Sequence, residues 1–289
     1  MPLKPQQQSL TIDEQIENLK NLNLTIQDEN FARLFLNDVS YFRFIKAYSL
    51  GLKPKNGNYY NGVSFEHIVE LYRFNANLRQ ELLPHIERVE INLRARIANY
   101  FSVKYGTLGY KDSSNFTNSF YHQQFINNIS QEINRNKRSP FIKNYQNNYQ
   151  NADIPFYALV EIISFGTLSK FYKNLLNDDK KHISKSYGVS YKYFESWIES
   201  IAYVRNLCAH YGRLYNAILT KKPILYKQFN EAGIRNDRLF GILCCLKELV
   251  PDDHHWDKFV NNIEKSFSKY PHADKFKMGF PINWIQILK

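Results

Sequence analysis

Arg205-Asn206-Leu207-Cys208-Ala209-His210 places a guanidinium, an amide and an imidazole within about one and a half turns of helix. Each type has a distinct use. Arginine holds its charge and can grip two phosphate oxygens in its planar fork. Histidine titrates near neutrality and suits either side of a proton transfer. Asparagine both donates and accepts, so Asn206 can orient His210 or a phosphate. Nowhere else does an arginine precede a histidine by five positions. The spacing alone is weak evidence, because short patterns recur by chance.

On a helix turning about 100° per residue, Trp197, Ile201, Val204 and Cys208 form an apolar stripe, with Asn206 and His210 stacked on the far side. Arg205 sits at the stripe's edge, from which its long side chain reaches either the protein body or a phosphate. The competing reading is a solvated helix end with His210 bonded to a carbonyl. Gly212 is expected to cap this helix. A looser pair, Arg79 and His85, is set aside because Pro84 between them should break its helix.

The elements that must carry this segment are helical. Gly 11 and Pro 10 are few for 289 residues, and the apolar spacing predicts helices over Ile12–Leu24, Gln27–Asn37, Ser64 to about Tyr100, Ala158–Leu176, Ile183–Tyr187, Tyr191–Tyr211, Arg238–Val250 and Asp257–Ser268. Pro84 should kink or break the third, Ser164–Thr167 should interrupt the fourth, and Asp178–Lys181 should form a turn. Glu90 and Arg94 read as an i,i+4 pair on a solvated face. The fold class is therefore all-α, and KPKNGNYYNG allows a short β-hairpin near residues 53–62. Three parts are expected: an N-terminal helical extension over 1–62, a helical core over 63–222, and C-terminal helices over 223–289. The terminal MGFPINWIQIL should pack on the body.

Hydrophobic residues at 44% and aromatics at 16% exclude a disordered chain. The net charge of +11 is lopsided: 12 Lys+Arg stand against 11 Asp+Glu in residues 1–100, and 26 against 16 in 101–289. That field favours a polyanion partner, with scattered solubilising lysines as the plainer alternative. Lys170, Lys173, Lys180, Lys181 and Lys185, with Lys221 and Lys222, are candidates to line the path of such a partner. Cys208, Cys244 and Cys245 fit neither a disulfide framework nor a zinc site. MPLKPQQQSL has no apolar signal core, so no membrane partner is expected and the location expected is cytoplasmic.

IERVEINLRARI, SFGTLSKFYKNL, DKKHISKSYG, SWIESIAYVRNLCAHYGRLYN and MGFPINW, in that order, resemble the Abi-like abortive-infection proteins of the AbiD and AbiF type, within the HEPN class of helical ribonucleases. The resemblance runs from about Lys4 to Trp284. It implies a HEPN-like bundle and a site in which an Arg–polar–x3–His motif from each of two subunits meets in a homodimer. Arg205, Asn206 and His210 match that motif as catalytic residues. The implied activity is metal-independent cleavage of RNA, with no cofactor, leaving a 2′,3′-cyclic phosphate and a 5′-hydroxyl.

That chemistry needs a base for the 2′-hydroxyl, an acid for the departing 5′ oxygen and positive charge beside the phosphorane. Two imidazoles and two guanidiniums would supply them. Tyr211, Arg213, Asn216, Lys170 and Lys173 are further candidates for RNA contact. One related toxin subgroup carries a tyrosine two positions after the histidine. Here Gly212 stands there, so control by modifying that tyrosine is not expected. A small noncoding RNA or a protein is the expected inhibitor. The rival expectation is a noncatalytic RNA-binding or phage-sensing scaffold.

Overall fold

The structure, a computed structural model, describes residues 9–149, 151, 153–250 and 254–289. MPLKPQQQ, including Lys4, lies outside them. Among the described residues the fold is helical, with isolated bridges and no strand.

Two short helices, α1 (Ile12–Asn21) and α2 (Glu29–Asp38), open the chain. Thr11 and Glu14 cap α1 reciprocally, and Asp28 caps α2 by accepting from the Phe31 amide. A π-helical turn over Phe42–Lys46 follows. The expected hairpin at 53–62 does not form. The Tyr59 amide bonds the Leu22 carbonyl at the end of α1, and the Tyr60 amide bonds Leu52, so the backbone groups go to separate neighbours.

The organising element is α3 (Phe65–Tyr105), capped by Ser64. It runs through Pro84 as one helix, so of the kink or break expected there the break does not occur. Pro84 and Gln80 are both exposed, so the carbonyl that loses its partner to the proline ring lies on the wet side. On the other side Leu78, Leu82, Ile86, Val89 and Leu93 are buried, each contributing about 1.5–3 kcal/mol, against a proline penalty of about 3 kcal/mol. Packing wins over local propensity.

Next come α4 (Ser119–Arg135), α5 (Pro140–Asn148), α6 (Phe156–Leu159) and α7 (Phe165–Asn174). As expected, Ser164 marks an interruption: it caps α7 by accepting from the Thr167 amide. The expected turn at Asp178–Lys181 is instead the opening of α8 (Asn177–Lys185), where Asp178 and Asp179 complement the N-terminal end of the helix dipole. Buried Asp179 accepts from the Tyr100 and Tyr105 hydroxyls, each at 2.7 Å, and from Lys104. Those bonds fasten α8 to α3.

α9 (Tyr191–Ala209) packs against α3, α7 and α8. α10 (Lys227–Glu231), the apolar α11 (Leu239–Lys247), α12 (His254–Lys269) and α13 (Trp284–Leu288) complete the fold, with α11 against α9 and α12 against α3. The tail packs as expected: Met278, Phe280, Trp284 and Leu288 are buried, and Trp256 Nε1 donates to the Leu288 carbonyl at 2.7 Å. No helix among the described residues is long and apolar enough to cross a membrane.

Candidate active site

The motif occupies the last turn of α9. Trp197, Ile201, Val204 and Cys208 are buried, so the predicted stripe is the helix's inner side. Burial pushes the Cys208 and Cys244 thiols up to about 12, which suits packing groups rather than nucleophiles. Asn206 and His210 are exposed, and Arg205 lies between the two environments.

Arg205 is anchored by a residue assigned to the surface on sequence grounds. Glu90, on α3, is 6% exposed rather than solvated. Its Oε2 accepts from Arg205 Nε at 3.1 Å, and its Oε1 accepts from Arg94, which also donates to the Val160 carbonyl. Two guanidiniums thus flank one buried carboxylate. The bond to Nε leaves both terminal nitrogens of Arg205 without a protein partner among the described residues, on a side chain 35% exposed. An end-on grip of a phosphate remains open to them.

His210 is the C-cap. The helix stops in a Schellman motif: the Tyr211 amide bonds the Cys208 carbonyl at 3.3 Å and the Gly212 amide bonds the Leu207 carbonyl at 2.6 Å. The left-handed position is held by Tyr211, with φ 57°, and not by Gly212 as expected. Gly212 is needed for a different reason. A Cβ there would meet Leu207 Cδ2 at 2.9 Å and the Leu207 carbonyl oxygen at 3.0 Å, so glycine lets the chain turn back this closely without pushing the Leu207 backbone aside.

A left-handed tyrosine costs roughly 1–2 kcal/mol and persists only where its surroundings hold it. Arg43 donates to the Tyr211 carbonyl at 3.1 Å, and its guanidinium lies 5.9 Å from the ring centroid. From α3, Asn75 and Arg79 both donate to the Gly212 carbonyl, at 3.3 and 3.2 Å. The Asn75 side-chain oxygen then accepts from the Leu214 and Tyr215 amides, at 2.7 and 2.9 Å. Arg79 therefore belongs to the scaffold because it braces this turn, not because Pro84 breaks its helix. His85 packs on Phe259 and Trp256.

The remaining candidates divide. Tyr211 is 68% exposed beside His210. Arg213 turns inward and donates to the Tyr215 carbonyl, and burial lowers its pKa. Asn216 donates to the Leu50 carbonyl at 3.3 Å and accepts from Arg238, so both residues brace the loop. Lys170 and Lys173 are exposed on α7, and Lys173 pairs with Glu199 at 3.2 Å. Lys180 is buried and bonded to Glu195, which removes it from any surface path. Gly166 leaves room over the motif: a Cβ there would still stand 4.0 Å from Asn206 Nδ2.

Glu90 and Asn75 escaped sequence reasoning. The available signal was their place in the α3 pattern: Asn75 sits one residue after buried Phe74, and Glu90 one after buried Val89, at the edge of the apolar rhythm. A polar residue there must find an internal partner.

The model of the Abi-like protein family matches residues 34–216, from within α2 to just past the motif, a shorter span than 4–284. No curated protein and no solved structure matches the chain.

Proposed function

Because the chain belongs to the Abi-like protein family, we propose that it serves phage defence by abortive infection as a metal-independent endoribonuclease of the AbiD and AbiF type, in the HEPN class. The observation that carries the reading is the end of α9: one guanidinium held from behind by buried Glu90, with the amide of the next residue and an imidazole just over a turn further on left to solvent. A structural histidine would be expected to have a partner, and no hydrogen bond from the His210 ring to another described residue is present.

In this reading one His210 takes the proton of the 2′-hydroxyl, whose oxygen attacks phosphorus. The second copy's His210 gives a proton to the departing 5′ oxygen. A 2′,3′-cyclic phosphate and a 5′-hydroxyl result, and the atoms balance without water or metal. The terminal nitrogens of Arg205 hold the phosphorane oxygens, and Asn206 orients the imidazole or the phosphate. Each chain carries one motif histidine, so acid and base together require two copies. Tyr211, 68% exposed beside His210 and held by Arg43, gives the motif an aromatic edge that a second copy could cover. Uncontrolled cleavage would harm the host, so a small RNA or a protein is the expected inhibitor.

One observation favours the rival, a noncatalytic RNA-binding or phage-sensing scaffold: Arg205 already has a structural partner in Glu90. Incubating labelled RNA with the protein in EDTA, beside Arg205→Ala and His210→Ala, separates the two. The nuclease gives cyclic-phosphate ends in chelator, and either variant loses about 100-fold or more. RNA bound equally by all three proteins and left whole would establish the scaffold.

A further inference from the structure

Between α4 and α7, with α9 along one side, lies a groove of about 530 Å³. Beneath it lies the buried aromatic cluster of Phe116, Phe125 and Phe171, whose centroids lie 4.8 Å apart for Phe125–Phe171 and 5.4 Å apart for Phe116–Phe171, so these rings support the groove and the aromatic face it offers is that of Tyr121. Tyr121 stands at its edge, 57% exposed, next to Phe120 at 65%. One end is built rigidly. The Asn174 side-chain oxygen accepts from the Asn118 amide at 3.0 Å, and its nitrogen donates to the Asn118 carbonyl at 3.0 Å, locking α7 to the start of α4.

The groove's free polar groups are of particular kinds. Among the described residues, no hydrogen bond or ion pair engages the Lys170 ammonium, the Tyr121 hydroxyl, or the side-chain amides of Gln124 and Asn128. Two carboxylates also line it, but each is already neutralised. Glu195 is held by Lys180 at 3.1 Å, and Glu199 by Lys173 at 3.2 Å and Lys221 at 2.5 Å. Burial works to raise the pKa of Glu199, yet its bonds to Lys221 and Lys173 hold it below the ordinary value. The one uncommitted charge in the groove is therefore positive.

We propose that this groove seats an unpaired base of the RNA strand beside the cleavage site, with Lys170 holding an adjoining phosphate; the assignment rests on the nuclease reading. Aromatic faces stack on any base, side-chain amides can read a base edge, and a lone ammonium takes the phosphate. A purely apolar partner would leave the Lys170 charge and two amides unsatisfied. A duplex would present its bases already stacked. Continuity with the motif comes from two helices. Glu195 and Glu199 on α9 lie on the same helical face as Asn206, and Glu199 stands about 10 Å from it along the axis. On α7, Thr167 lines the groove while neighbouring Gly166 adjoins Asn206. A strand held at Lys170 can therefore run along both helices to the motif.

The test uses full-length His210→Ala, in which the strand is not cut, and measures anisotropy of a labelled single-stranded RNA across a salt series. Adding Tyr121→Ala should weaken binding roughly tenfold with an unchanged salt slope, because a stacking face is lost. Adding Lys170→Ala should weaken it too and lower the slope by about one. Both side chains are exposed, and unchanged melting verifies the fold. If both double variants bind as the parent does, the groove assignment is overturned while RNA as substrate stands. If the parent binds no single-stranded RNA, or prefers duplex, both the groove and the substrate reading fall. Loss of affinity for free mononucleotides with unchanged affinity for the strand would also overturn it, marking the groove as a small-molecule site.

Discussion

Arg205 and His210 stand five positions apart on one helix, and the protein treats them in opposite ways. The guanidinium is fixed from behind by a carboxylate buried on α3, which Arg94 shares. The imidazole projects from an open helix end, while the effort of the surrounding structure goes into the backbone just beyond it, through Arg43, Asn75 and Arg79. The lesson is that positioning can be divided. In the proposed mechanism the charge that would meet a phosphate is oriented in advance, and the group that would carry the proton is left accessible on a rigid base, where a second copy or a substrate can complete its surroundings.

The sharpest way to break that comparison is to remove the anchor. Glu90→Ala leaves two guanidiniums around a vacated, largely buried position, and should cost about 3–5 kcal/mol in urea denaturation. A loss below about 1 kcal/mol would mean that Arg205 is not held as described. Next in size is the turn. Gly212→Ala drives a methyl into the Leu207 backbone and should cost about 1–3 kcal/mol, read as a lower melting temperature. Smallest of all is His210→Ala, which should change stability by no more than about 0.5 kcal/mol while removing cleavage. A large loss of stability there would erase the contrast and make the histidine structural.

Much of this was legible beforehand, for physical reasons. Scarce glycine and proline and a sustained helical rhythm already specify an all-α chain, and the stripe on α9 announces its own inner side. The elements that escaped depend on distant partners. Pro84 reads as a breaker because the rule concerns local bonding, whereas its tolerance comes from facing water while its neighbours are buried. Glu90 and Arg94 look like an ordinary surface pair four residues apart, since nothing local reveals that Arg205, 115 positions later, closes over them. The hairpin signal at Asn56-Gly57 and Asn61-Gly62 predicted turns, but the amide of Tyr59 found the end of α1 instead of a partner strand.

Arg213 and Asn216 teach the same thing about the site. Proximity to the motif made them candidates for RNA contact, but both side chains bond the protein's own backbone. Lys170 and Lys173, by contrast, are on the surface, and only one of the two has its charge committed.

The central claim is that one His210 from each of two copies works on the same phosphodiester. Specific activity measured against protein concentration, in EDTA and with light scattering on the same samples, tests it most directly. Cyclic-phosphate product per chain should rise with concentration and level off where the scattering mass reaches twice 34.3 kDa. Full specific activity from a species that scatters as a single chain would contradict it.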